Sequence, residues 1–137
     1  MRVADGIFLC RRATTNLDGT TTLDGVFDTV GLSKLPDELR CMAYCKLEAD
    51  PEEIGTEKVV RLELASAEHV AGSPDEPVPL VWFERKANIR GAALGATPTL
   101  EILLEIEARI ERAGNYFVTV HVEGELAGKA PVLVSAA

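Results

Sequence analysis

The side chains best suited to nucleophilic or metal-binding chemistry are two histidines, His69 and His121, and three cysteines, Cys10, Cys41 and Cys45. None has the spacing of a zinc site, where paired ligands sit two to five residues apart and a second pair follows. Cys41 and Cys45 lie four residues apart in an alternating segment, so they share a face. At ~3.3 Å per residue their Cα atoms stand about 13 Å apart, beyond the ~7 Å reach of a disulfide. They are expected as small buried apolar groups. Asn16, Asp18, Asp24 and Asp28 offer oxygens for calcium but lack the ligand series of a calcium loop, and Asp18 is better explained by an Asp-Gly turn. Phosphate-cradling glycine motifs and the Gly-x-Ser-x-Gly elbow are absent. The expectation is a chain with no catalytic residues, no metal and no cofactor, and hence no enzyme.

One contact surface does stand out. If Val81, Phe83, Ala87 and Ile89 face a core, then Trp82, Glu84, Lys86, Asn88 and Arg90 face outward on the same strand. Trp82 is the chain's one tryptophan. Aromatic and arginine side chains are favoured anchors at interfaces, so Trp82, Lys86 and Arg90 are the candidate binding residues, for a protein or a carbohydrate. The alternative places Trp82 in the core of a sheet covered on both sides. Arg85 falls on the apolar face, a conflict that a bulge near Glu84 and Arg85 resolves.

The elements that would hold this strand are read from period-two alternation. A first strand runs roughly from Val3 to Ala13, and Asn16-Leu17-Asp18-Gly19 turns it into a second over Thr20 to Val30. Leu35-Pro36-Asp37 punctuates the chain before a third, with Cys41, Ala43, Cys45 and Leu47 on one face. After a turn at Asp50 to Gly55, Val60, Leu62 and Leu64 mark a fourth, and a proline-rich loop from Glu68 to Pro79 leads to the Trp82 strand. Gly91 to Pro98 reads as another loop.

Leu100 to Ile110 is ambiguous. Its even positions are apolar and its odd ones mostly charged, as in a strand with one wet face. Its Glu, Leu and Ala content and the Thr97-Pro98 pair also suit a helix start. A helix cannot bury Ile102, Leu104 and Ile106 on one stripe, which favours the strand. Tyr116 to Val122 and Lys129 to Ser135 complete the set, the latter at an edge or starting at Pro131. Seven to eight strands with short turns make an all-β, immunoglobulin-like antiparallel sandwich.

Composition agrees. The 137 residues suit one domain, 1–137, with 47% apolar and 26% charged residues. Fourteen bases against twenty-two acids give a net charge of −8. Between Asp50 and Val78, eight acids face two bases, which is −6 of that −8. Such a surface repels phosphate backbones, so no nucleic-acid partner is expected. No uncharged run approaches the ~20 residues of a membrane span, and three sparse cysteines suit a reducing compartment. The protein is read as cytoplasmic with no membrane partner.

Leu17-Asp18-Gly19-Thr20-Thr21-Thr22-Leu23-Asp24-Gly25-Val26-Phe27-Asp28 followed by Leu35-Pro36, together with the closing Gly114-x-Tyr116-x-x-x-Val120-x-Val122-x-Gly124, resembles a family of short uncharacterised bacterial β-sandwich proteins, a domain of unknown function. The resemblance implies a compact sandwich and supplies no activity or catalytic residue. The function expected is a non-enzymatic protein-binding or assembly module, with a protein partner or a second copy, a homo-oligomer, as occupant. A small-molecule or carbohydrate-binding sandwich is the alternative.

Overall fold

The computed structural model describes residues 1–67, 79–91 and 95–136. His69 and the acidic residues Glu68, Asp75 and Glu76 lie outside the described residues, as does the proline-rich loop up to Val78.

Ten strands follow in chain order: β1 (Arg2–Cys10), β2 (Arg12–Thr15), β3 (Thr21–Asp24), β4 (Thr29–Leu32), β5 (Asp37–Glu48), β6 (Glu57–Ser66), β7 (Pro79–Asn88), β8 (Thr99–Ile110), β9 (Gly114–Val122) and β10 (Glu125–Ala136). The fold is all-β. A three-stranded sheet in the order β1-β5-β8 faces a five-stranded sheet in the order β4-β10-β9-β6-β7, and β2 and β3 form a separate hairpin. All main pairings are antiparallel except β4 with β10, which is parallel. This is the strand order of an immunoglobulin-like sandwich, in which the chain leaves the first sheet early and rejoins beside the last strand of the second. The corner before β9 carries a further hallmark, because the Tyr116 hydroxyl donates to the Arg112 carbonyl at 2.6 Å.

The core lies between the sheets. Leu47, Ile102, Ile106 and Ile110 come from the first sheet and Leu62, Val118, Val120 and Val132 from the second, each at most 1% exposed. Each such side chain contributes about 1.5–3 kcal/mol by leaving water. Cys41 and Cys45 point into this core, and all three cysteines are unbridged. Burial pushes the thiols of Cys41 and Cys45 up to about 11.

Strand boundaries differ from the sequence expectation where glycine lets the chain change direction. The expected strand from Thr20 to Val30 is two strands, because Gly25 (φ 68°) breaks it and β4 joins the other sheet. The strand expected from Val3 to Ala13 likewise breaks at Arg11, and these two breaks raise the count from seven or eight to ten. The segment from Leu100 to Ile110 is a strand throughout, pairing with β5 in continuous register from Thr99 to Ile110. β10 is an interior strand rather than an edge. Pro131 is tolerated there because the Leu133 N–H donates to Asp28 on the β4 side, so Pro131 turns its missing N–H to that same side, where pairing with β4 starts only at Leu133.

Candidate functional site

The face that carries Trp82 is the outer face of the five-stranded sheet. β7 is that sheet's edge, and Val81, Phe83 and Ala87 turn inward as the alternation requires. Register is continuous from Val81 to Asn88, so there is no bulge at Glu84 and Arg85. The irregularity sits instead at Leu80, the extra β7 residue opposite Leu64 and Ala65. Arg85 is exposed without a bulge because it lies on the edge strand, where a long side chain reaches water.

Cross-strand neighbours build the surface outward from Trp82. Its row continues through Glu63, Thr119 and Lys129, and the next row runs Glu84, Arg61, His121 and Leu126. Arg61 lays its guanidinium 4.2 Å from the centroid of the Trp82 ring, while its Nε lies 2.7 Å from Glu63 Oε1. That nitrogen is buried and off-line for a directed hydrogen bond, so the Glu63 contact is an ion pair. Lys129 forms a second stack, its Nζ 3.7 Å from the Phe117 centroid. The two stacks sit two strands apart, about 10 Å across the sheet. His121 Nδ1 is buried beside Arg61 and meets no hydrogen-bond partner among the described residues.

Apolar groups surround these stacks. Leu80 is 45% exposed, Trp82 50%, Leu126 60% and Leu133 43%. The outer face of the other sheet differs. There the β2–β3 hairpin leans over β5 and β8, with Thr21 Oγ1 donating to Glu101 Oε2 at 3.2 Å and the Tyr44 hydroxyl donating to Glu101 Oε1 at 3.1 Å. Burial, then that bond to Glu101, pushes the Tyr44 phenol up to about 12. The hairpin's own turn is set by Asp18, which accepts from the Thr20 hydroxyl at 2.6 Å and the Thr20 N–H at 3.0 Å. Those bonds hold its carboxyl below the usual carboxylate range.

The structure places Trp82 and Lys86 on the same outward face but four residues apart, about 13 Å along the strand. Lys86 Nζ lies 4.0 Å from Glu57 Oε1, and Arg90 is exposed just past the end of β7. The cation on the Trp82 ring is Arg61, which sequence reasoning missed along with Phe117 and Lys129. Their outward positions follow from alternation, whereas their neighbours follow from strand order, which alternation does not carry. Among the described residues no three His, Cys, Asp or Glu side chains converge as metal ligands, and no helix is long and apolar enough to cross a membrane.

No curated protein matches the chain in sequence. Among solved structures, the alkylpurine DNA glycosylase AlkC of Pseudomonas fluorescens, bound to DNA containing an abasic-site analog, is similar to it at 18% identity and a TM-score of 0.48. The likeness covers 95% of this chain and 30% of that one. Two expectations are corrected by this finding. That protein is an enzyme and is bound to DNA, contrary to the expectations of no enzyme and no nucleic-acid partner. The model of a family of unknown function, DUF6941, matches residues 5–135, and the chain belongs to that family.

Proposed function

We propose that the chain is a protein-binding or assembly module that docks through the outer face of its five-stranded sheet. One observation carries this reading. The two sheets treat their outer faces differently: the first is overlaid by the β2–β3 hairpin, while the second leaves Leu80, Trp82, Leu126 and Leu133 open around two cation–aromatic stacks. Exposed large apolar side chains set among polar groups mark an interaction site, and tryptophan and arginine are its commonest anchors. The carbohydrate reading finds less support, because Arg61 already covers one side of the indole on which a sugar ring would stack.

The test is recovery of partners from the native host with tagged protein. A partner held through this face is retained by the wild type, lost with the paired substitutions Trp82→Ala and Leu133→Glu, and retained with Lys46→Glu on the opposite sheet. Equal retention by all three forms, or recovery of no partner by the wild type, counts against the reading.

A further inference from the structure

The four outermost strands of the two main sheets are not equally guarded. β1 is interrupted at Asp5 and Gly6, where its pairing with β5 jumps from Ala4 to Ile7. β4 has four residues, and β8 carries Glu101, Glu105 and Glu107 on its outward face. β7 has ten residues and pairs without interruption from Val81 to Asn88. Native proteins blunt edges with bulges, short strands and charge. β7 has Pro79, an extra residue at Leu80 and charged side chains of its own, but its run from Val81 to Asn88 is the longest uninterrupted edge of the five-stranded sheet among the described residues.

Which backbone groups β7 leaves unpaired follows from the hydrogen bonds around β6. The Val59 carbonyl accepts from Glu123, and the Ala67 N–H donates to Asn115, so odd residues of β6 turn toward β9. Even residues of β6 therefore turn toward β7, and Ile89 N–H accordingly donates to the Thr56 carbonyl. The β7 residues opposite them are Val81, Phe83, Arg85 and Ala87 or their register equivalents, all odd. Trp82, Glu84, Lys86 and Asn88 are left presenting both N–H and C=O outward, and the same four side chains lie on the outer face.

We propose that two copies of this chain join edge to edge through β7, antiparallel about an axis at Arg85, with Glu84 of each copy facing Lys86 of the other. The inference rests on the reading of the Trp82 strand as a contact surface and adds its occupant. A two-fold axis perpendicular to the sheet keeps outward residues opposite outward residues, so it must pass through a residue. Centred on Glu84 or on Lys86, it opposes like charges. Centred on Arg85, it pairs Glu84 with Lys86 of the second copy twice, and Trp82 with Asn88 of the second copy twice. In that register the residues with free backbone groups meet one another as hydrogen-bonded pairs. The two Arg85 side chains meet on the opposite side of the sheet, one opposed like-charge pair against two Glu84–Lys86 pairs. The result is one continuous sheet of ten strands, five from each copy, with both Trp82 rings on one face.

Light scattering coupled to size-exclusion chromatography, from micromolar to near-millimolar protein, tests this on four forms: wild type, Glu84→Lys, Lys86→Glu and the double reversal. The wild type shows twice the monomer mass in the upper range. Each single reversal weakens association by about ten-fold or more, and the double reversal restores it. Three results would overturn the inference: a wild type that stays monomeric throughout, a dimer indifferent to the single reversals, or a double reversal that fails to rescue. Both substituted positions are exposed, and circular dichroism confirms that the forms are folded. A monomeric wild type that still loses its partner on Trp82→Ala with Leu133→Glu leaves the docking face standing and removes only the second copy at the β7 edge.

Discussion

Arg61 and Trp82 form a stack in which each residue restrains the other. With the guanidinium 4.2 Å from the ring centroid, an exposed pair of this kind contributes about 0.5–1 kcal/mol. Arg61→Ala should lower stability by about that amount, read by urea denaturation, and make Trp82 easier to quench with acrylamide. Unchanged quenching would show that the stack does not cover the ring. A second residue-scale consequence concerns the thiols. Burial raises Cys41 and Cys45 from 9.0 to about 11, and Tyr44 moves from 10.0 to about 12 through burial and its bond to Glu101. A folded-state value above the unfolded one means that the stability is fully present below the unfolded value and is lost as pH rises through the folded one. The urea midpoint should therefore hold steady up to about pH 9 and fall between pH 9 and 11, with a shallower fall in Cys45→Ala. A midpoint flat across that window contradicts the burial of these thiols. The cysteines' inward direction was legible in their alternation with Met42, Tyr44 and Lys46. Arg61 was not legible as the partner of Trp82, because nothing local to either residue says that β6 and β7 are neighbours.

At the scale of elements, β8 shows where alternation outweighs propensity. Its glutamates, leucines and alanine favour helix, yet only a strand buries Ile102, Ile106, Ala108 and Ile110 on one face while pairing with β5. The bend in β10 is a different case, set by a contact between distant segments. Its register with β9 shifts between Leu126 and Gly128, and β1 crosses there so closely that a Cβ on Gly128 would run into the Val3 side chain. Gly128→Ala should cost about 1–3 kcal/mol by overpacking, and Val3→Ala in the same chain should recover part of that loss. Equal destabilisation with and without Val3→Ala would place the cost in the backbone rather than in this contact. Gly128 falls just before the strand expected from Lys129 to Ser135 and inside β10 as it forms, so neither the bulge nor the approaching segment was legible in the sequence.

For the whole molecule, the layered arrangement explains what composition left open. Alternating strands and short turns were enough to read an all-β sandwich, while the split of β3 from β4 and the parallel pairing of β4 with β10 depend on how the sheets close around the core. The net charge of −8 sums over a surface whose two outer faces differ in kind. One is covered by the chain's own hairpin, and the other exposes an aromatic and aliphatic surface around Trp82. Because Trp82 is the one tryptophan in the chain, its fluorescence reports on that face alone. Acrylamide quenching of Trp82, compared between the free protein and its complex with a partner that itself lacks tryptophan, is the most direct test. The account predicts a quenching constant about two-fold or more lower in the complex, as expected for an anchor excluded from water. An unchanged constant would show that the partner binds elsewhere and contradict the assignment of the outer face as the docking surface.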